Sequence, residues 1–244
     1  MNRGAALVAL LVMSAAVVGE ERHSDIEIPE PMVFDLVHGL GVEKGAFEAN
    51  VLALFPLNDT SVRHIDWAPE VEYAIRDGIA LEFELVFEDS DLEAYKLAAQ
   101  FTHAESVKHR RIHGSQFIVE KFDNRDIWEL TGLYLLGNEF NAEWSALTML
   151  GLRATTGSDV SDHEEVLANF TLFRELSHRW VFGIENDLAI DFDDDWELLV
   201  FPQFHYEIGE VLEIQFGAGA EFSDDGTDFS AGFRFIYSST PDMR

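Results

Sequence analysis

Apolar and polar residues alternate one by one over most of this chain. In residues 78–87, Leu81 and Phe83 fall on one side of an extended chain, and Glu82 and Glu84 fall on the other. Because successive side chains of a β-strand point to opposite faces, such a segment has one apolar and one polar face. The pattern recurs in about twelve segments of roughly 9–13 residues, with turn residues such as Asp-Gly pairs between them. The segments are 46–57, 66–75, 78–87, 92–102, 112–122, 127–137, 142–152, 164–176, 179–188, 195–207, 211–222 and 228–237.

Two kinds of fold use strands with one apolar face. A soluble β-sandwich or small barrel hides that face in its interior, whereas a membrane barrel turns it toward lipid. The segments suit a tilted strand that crosses a bilayer core in about 9–11 residues, since strands of soluble domains average about 5–6. Trp and Tyr gather near the segment ends, as they do at membrane interfaces. We predict an all-β fold, a single up-and-down antiparallel transmembrane β-barrel of about 12 strands, with a soluble periplasmic barrel as the alternative.

The N-terminal residues do not follow this pattern. Residues 1–19 contain Arg3 followed by a nearly unbroken apolar run, which is typical of a secretory signal peptide. The run is shorter than the ~20 apolar residues of a membrane-spanning helix. The predicted organisation is a signal peptide at 1–19, an N-terminal periplasmic linker at 20–42, the β-barrel at 43–238 and a C-terminal tail at 239–244.

Three places in the barrel region weaken the strand prediction. Residues 91–111 are rich in helix formers and could hold a helix instead. Pro69 and Pro202 lie inside proposed strands, where each removes a ladder hydrogen bond. We interpret the prolines as bulges or strand edges.

Composition excludes several classes of function. The chain carries 46 Asp and Glu against 16 Lys and Arg, a formal net charge of −30, and has no cysteine. Such a charge repels nucleic acids, and the lack of cysteine excludes disulfides and thiolate chemistry. There is no Gly-x-Ser-x-Gly, HExxH or Gly-rich phosphate loop. The acidic run 187–195 lacks EF-hand spacing, and basic residues surround His109 and His113. We predict no enzymatic activity, no cofactor, no metal site and no nucleic-acid partner.

Charged residues on the polar faces are the candidate functional residues. Two glutamate pairs lie on adjacent strands of one hairpin, so we expect their carboxylates to lie close together. Rings of carboxylates attract cations in channels, and Lys96, Arg234 and His205 could act as internal counter-charges. In the alternative interpretation these side chains only fill the lumen. The predicted lumen and selectivity residues are Glu70, Glu72, Glu82, Glu84, Glu213 and Arg234.

One region of the chain resembles a known family. The strings Trp67-Ala-Pro-Glu-Val-Glu-Tyr73, Leu81-Glu-Phe-Glu-Leu85 and Leu92-Glu-Ala-Tyr-Lys-Leu97 look like those of an outer-membrane β-barrel transporter family that is similar to the meta-pathway phenol-degradation barrel proteins. The wording matches over residues 65–100, and the alternating pattern matches over the mature chain. The resemblance implies a signal peptide, a single barrel and passive transport, and it carries over no catalytic residues.

These observations lead to one expectation and two alternatives. We expect a barrel of the bacterial outer membrane that contacts lipid and lipopolysaccharide. It would be a passive transporter or channel for small polar or cationic solutes through an acidic lumen. A closed structural or ligand-binding barrel without pore activity is the alternative, and a barrel acyl hydrolase is a less favoured one.

Overall fold

The chain folds into a closed barrel of twelve antiparallel strands. The computed structural model describes residues 26–34, 36–58, 64–192 and 195–239. Each strand pairs with its neighbours in sequence, and the first strand pairs with the last. The strands are β1 (Phe47–Pro56), β2 (Asp66–Arg76), β3 (Ile79–Glu88), β4 (Asp91–Ser106), β5 (Arg111–Phe122), β6 (Ile127–Glu139), β7 (Trp144–Gly157), β8 (His163–Ser177), β9 (Trp180–Asp191), β10 (Trp196–Ile208), β11 (Leu212–Ser223) and β12 (Gly226–Ser239). The predicted up-and-down topology and strand number are confirmed.

Two of the predicted segments lie outside the part of the chain that the structure describes. These are the signal peptide at 1–19 and the tail beyond Ser239, which itself is the last residue of β12. Within the described ranges, no helix has the length and apolar character needed to cross a membrane.

The ambiguous region 91–111 is mostly strand. β4 continues to Ser106, and only a single 3-10 turn, Val107–His109, separates it from β5. β4 is paired on both sides, with β3 and with β5. The backbone hydrogen bonds of these two ladders outweigh the weak helix propensity of the side chains.

The two prolines are neither bulges nor strand edges. The β2–β3 pairing passes from Trp67–Phe87 to Glu70–Glu84 without a change of register, so Pro69 lies in the middle of a regular strand. The β10–β11 pairing likewise resumes in register after Pro202. Each proline therefore interrupts the ladder locally without displacing the strand.

The apolar face of the sheet lies on the outside of the barrel. In β3, the side chains of Leu81 and Phe83 are each 42% exposed, whereas those of Glu82 and Glu84 are 3% and 4% exposed. The same alternation continues around the barrel. This arrangement is the reverse of that in a soluble barrel, and it suits an outer wall that faces lipid. Each tryptophan is the first or second residue of its strand, as expected for interfacial aromatic belts: Trp67, Trp128, Trp144, Trp180 and Trp196.

The two ends of the barrel are distinguished by where the first and last strands begin and end. Phe47 pairs with Ser239 at one end, which we call the terminal end; the opposite end is called the distal end. At the distal end the strands run further than the sequence predicted. β7 continues to Gly157 and β9 to Asp191, past the predicted segment ends at residues 152 and 188. The strand pairing thus extends nearly to the distal rim.

One distal turn is held by a reciprocal set of hydrogen bonds. Asp89 adopts a positive φ of 54° between β3 and β4, and its backbone N–H donates to the Ile65 carbonyl over 2.8 Å. Its carboxylate accepts the Ile65 N–H at 3.0 Å and lies 2.9 Å from His64 Nδ1. These hydrogen bonds lower the pKa of Asp89 because they favour its charged form. They tie the turn to the start of β2.

The interior of the barrel contains part of the chain itself. Residues 26–34 and 36–46, called the plug below, rise from the terminal end to the middle of the barrel and return. Near its start Ile28 packs beside Gly137 of β6, and near its end the Val42 carbonyl accepts the Gly78 N–H at 2.7 Å. The sequence predicted a periplasmic linker for 20–42; the described part of that range lies inside the lumen instead.

Candidate functional site

The apex of the plug is held by one carboxylate of the barrel wall. Glu185 of β9 is completely buried. It accepts the backbone N–H groups of Met32 at 2.9 Å, Val33 at 3.1 Å and Phe34 at 2.6 Å, together with Gln203 Nε2 at 2.9 Å. Hydrogen bonds from neutral donors to an ionised acceptor are stronger than those between neutral groups. Glu185 therefore fixes the highest point that the plug reaches.

The returning arm of the plug is held by polar groups of β4 and β5. Val37 N–H donates to Gln116 Oε1 at 3.1 Å, and Gly41 N–H donates to Thr102 Oγ1 at 2.9 Å. Gln100 Nε2 donates to the His38 carbonyl at 2.6 Å. These contacts satisfy buried backbone groups in a segment that has no strand partner of its own.

Glycines of the inner wall make room for the apolar side chains of the plug. A Cβ atom on Gly137 would lie 2.7 Å from Ile28 Cγ1, and one on Gly114 would lie 2.8 Å from Leu40 Cδ2. Plug residues and inner-wall residues of β5–β8 form one buried apolar cluster. Its members include Ile26, Leu36, Val37, Leu40, Val42, Ile112, Leu133, Leu135, Leu147, Met149 and Phe173. This half of the lumen resembles the core of a soluble domain.

The opposite wall, formed by β1, β2 and β3, is acidic. Strand pairing places Glu72 directly opposite Glu48 on one side and Glu82 on the other. In the next row, Glu70 lies opposite Glu84. Carboxylate oxygens of Glu70, Glu72 and Glu82 all lie within 4.8 Å of one another. The structure therefore brings together the glutamates that the hairpin argument grouped.

Two cations face this acidic wall. Arg234 of β12 is 2% exposed, and its guanidinium donates to Glu70 Oε1 at 2.7 Å, Asn50 Oδ1 at 3.1 Å and the Pro31 carbonyl of the plug at 3.3 Å. Lys96 Nζ lies 2.6 Å from Glu84 Oε2. Lys96 and Arg234, two of the predicted counter-charges, therefore pair with predicted lumen glutamates, and Arg234 also binds the plug.

The sixth predicted residue, Glu213, belongs to a neighbouring network. Its Oε1 accepts Gln215 Nε2 at 2.8 Å and lies 3.4 Å from His205 Nδ1. His205 Nε2 in turn is 3.0 Å from Gln203 Oε1, so this network continues to Glu185 through Gln203. Glu213 thus faces the interior but does not join the carboxylate rows of β1–β3.

A small cavity remains beside the plug apex. Its volume is ≈ 70 Å³, and it is bounded by Met32 and Val33 of the plug and by Glu70, Glu84, Lys96 and Arg234 among the wall residues. Four of its lining side chains are charged, so water can occupy it.

The sequence analysis did not predict the plug or its contact with Glu185. Two signals could have indicated them. The stretch 32–42 is rich in large apolar residues, which a solvated linker does not need. Gly114, Gly137 and Gly232 sit on inward positions, where missing side chains leave room for an inserted segment.

Comparison with solved structures identifies proteins with a similar fold. The NanC porin superposes with a TM-score of 0.63 at 6% identity, covering 79% of this chain and 100% of that chain. The outer-membrane channel from Pseudomonas putida F1 gives 0.61 at 10% identity, covering 87% and 100%. The KdgM porin in complex with disordered oligogalacturonate gives 0.57 at 10% identity, covering 78% and 99%. The chain therefore shares the barrel fold of outer-membrane porins and channels.

At the level of sequence the comparisons give nothing further. No protein-family model matches the chain, and no curated protein matches it either.

Proposed function

We propose that the protein is a channel of the bacterial outer membrane that passes small cations or small polar solutes, and that the plug closes it in the state described above. Lipid and lipopolysaccharide would surround its apolar outer wall. The observation that carries the proposal is the row of inward carboxylates formed by Glu48, Glu72 and Glu82. Carboxylates that line a pore favour cations over anions.

Acidic residues at the distal end also favour cations over anions. Glu197, Glu221 and Asp228 are exposed at this end, and Glu221 lies directly opposite Asp228 in the β11–β12 pairing. Clustered charge of one sign at an entrance raises the local concentration of oppositely charged ions.

The proposal includes membership of the transporter family similar to the meta-pathway phenol-degradation barrel proteins, supported by the strings within 65–100, and the absence of enzymatic activity.

A closed barrel without pore activity is the second candidate, and the plug favours it. The apolar cluster between the plug and β5–β8 is a packed core, and such a core resists displacement. The two candidates differ in one measurable property, the passage of ions through the purified full-length protein.

Planar-bilayer recording tests the proposal. We expect the wild-type protein to give discrete conductance events, each during a transient release of the plug, with a reversal potential in a KCl gradient that shows preference for K⁺. A protein that folds, as judged by heat-modifiable gel mobility, and gives no conductance events would contradict the channel function and favour the closed barrel.

The glutamates themselves are tested by Glu82→Gln. A carboxylate about 10 Å from a passing ion contributes about 1.7 kcal/mol at an effective dielectric constant of 20, so its removal is expected to lower the K⁺/Cl⁻ permeability ratio by about ten-fold. The matched control is Glu164→Gln, an exposed carboxylate on the outward face of β8, which is expected to leave the ratio unchanged. Equal ratios in all three proteins would remove the selectivity role of Glu82.

A further inference from the structure

The plug and the acidic wall meet at a group of side chains with the composition of a metal site. His38 comes from the returning arm of the plug, Glu48 from β1 and Glu72 from β2. One ligand atom from each lies within 4.8 Å of the other two. Glu48 and Glu72 are paired across neighbouring strands, and like charges in directly opposed positions destabilise a sheet unless a cation lies between them.

Two buried atoms of this group have no hydrogen-bond partner. Glu72 is 1% exposed; its Oε1 accepts Asn50 Nδ2 at 3.1 Å, while its Oε2 is buried and receives no hydrogen bond. His38 Nδ1 is likewise buried without a hydrogen-bond partner. A buried polar atom without a partner costs free energy, and a cation bound by both side chains would remove that cost.

Arg234 provides positive charge close to this group. Its guanidinium lies 2.7 Å from Glu70 Oε1 and 4.0 Å from Glu72 Oε1, so one positive charge is shared between these two carboxylates. The donors to Glu48 are neutral: Ser238 Oγ at 2.9 Å and Asn50 Nδ2 at 3.3 Å. A divalent cation would neutralise the negative charge that Arg234 leaves on Glu48 and Glu72.

We propose that His38, Glu48 and Glu72 form a binding site for a divalent transition-metal ion, with Zn²⁺ as the best fit, and that the ion fastens the plug to the barrel wall. Imidazole together with carboxylates suits Zn²⁺, whereas Ca²⁺ requires six to eight oxygen ligands. Tetrahedral Zn²⁺ holds its ligand atoms about 3.3 Å apart, so small side-chain rotations close the site. Three protein ligands leave one position for water.

Metal binding to the full-length protein tests this proposal without any measurement of conductance. The protein is refolded in detergent, freed of metal with a chelator and titrated with ZnCl₂ in a calorimeter. We expect one Zn²⁺ per chain in the wild type and an affinity lower by at least about ten-fold in His38→Ala. The control His109→Ala removes an exposed histidine of the 3-10 turn and is expected to bind as the wild type does.

Two further readouts connect the ion to the plug. Co²⁺ in place of Zn²⁺ is expected to give a visible absorption band that is lost in His38→Gln. Zn²⁺ is also expected to slow proteolysis within residues 26–46 of the wild type but not of either His38 variant. The proposal is overturned if no Zn²⁺ binds, if both His38 variants bind Zn²⁺ as the wild type does, or if Ca²⁺ binds as tightly as Zn²⁺. Because binding is measured apart from ion flow, failure here is distinguishable from failure of the channel proposal.

Discussion

The Glu185→Ala variant is expected to conduct ions far more often than the wild-type protein. The substitution removes the acceptor of three backbone N–H groups at the plug apex, those of Met32, Val33 and Phe34. Hydrogen bonds to a charged group contribute about 1.5–3 kcal/mol each. Even a loss of about 3 kcal/mol from the plugged state shifts the ratio of plugged to unplugged molecules by about two powers of ten.

The measurement is the open probability of single channels in planar bilayers. Glu197→Ala is the matched control, since it removes an exposed carboxylate from the inner face of β10 at the distal end, away from the plug apex. Limited proteolysis offers a second readout, because released residues 26–46 become cleavable. If Glu185→Ala has the open probability and protease resistance of the wild type, Glu185 is not the anchor of the plug.

The Arg234→Met variant is expected to lose a large part of the stability of the barrel. Methionine fills similar space, but it leaves Glu70 and Asn50 without their guanidinium partner and frees the Pro31 carbonyl of the plug. Removing one partner of a buried ion pair costs about 3–5 kcal/mol, because the other charge stays buried and uncompensated.

Urea unfolding in lipid vesicles, followed by tryptophan fluorescence, measures this loss. The control is Arg174→Met, whose guanidinium lies 3.6 Å from Glu143 in an exposed pair and is expected to contribute about 0–1 kcal/mol. The double variant Arg234→Met/Glu70→Gln is expected to recover part of the stability, since it removes the unpaired charge. Similar unfolding free energies for Arg234→Met and Arg174→Met would contradict the structural role of Arg234.

The strands could be predicted from the sequence for a physical reason. A lipid-facing barrel must alternate apolar and polar residues along every strand, so Leu81 and Phe83 against Glu82 and Glu84 already specify the two faces. The strand lengths and the positions of the tryptophans then indicate that the apolar face meets lipid and not a dry protein core. The ends of the strands were less predictable, because pairing beyond the bilayer, as in β4 up to Ser106, needs no apolar face.

The plug could not be found by the same reasoning. Its backbone groups are satisfied by side chains far away in sequence, such as Glu185 and Gln116, and no local pattern records such partners. Its apolar residues pack against an inner wall that is itself partly apolar, as at Leu133 and Phe173. A rule that assigns all apolar side chains to lipid therefore misses this half of the lumen.

The acidic group was predictable only in part. Residues two apart on a strand point to the same face, so Glu70 shares a face with Glu72, and Glu82 with Glu84. The hairpin then brings the two pairs together. The contributions of Glu48 and His38 depend on the β1–β2 register and on the course of the plug, which the sequence does not specify.

Spin labels on four neighbouring positions of β3 can determine directly which face of the barrel meets lipid. The chain has no cysteine, so the single variants Leu81→Cys, Glu82→Cys, Phe83→Cys and Glu84→Cys each carry one label. In lipid vesicles we expect collisions with dissolved oxygen to be frequent at 81 and 83 and rare at 82 and 84. Frequent oxygen collisions at 82 and 84 with protection at 81 and 83, or no alternation at all, would contradict a barrel with an apolar exterior and an acidic, plugged interior.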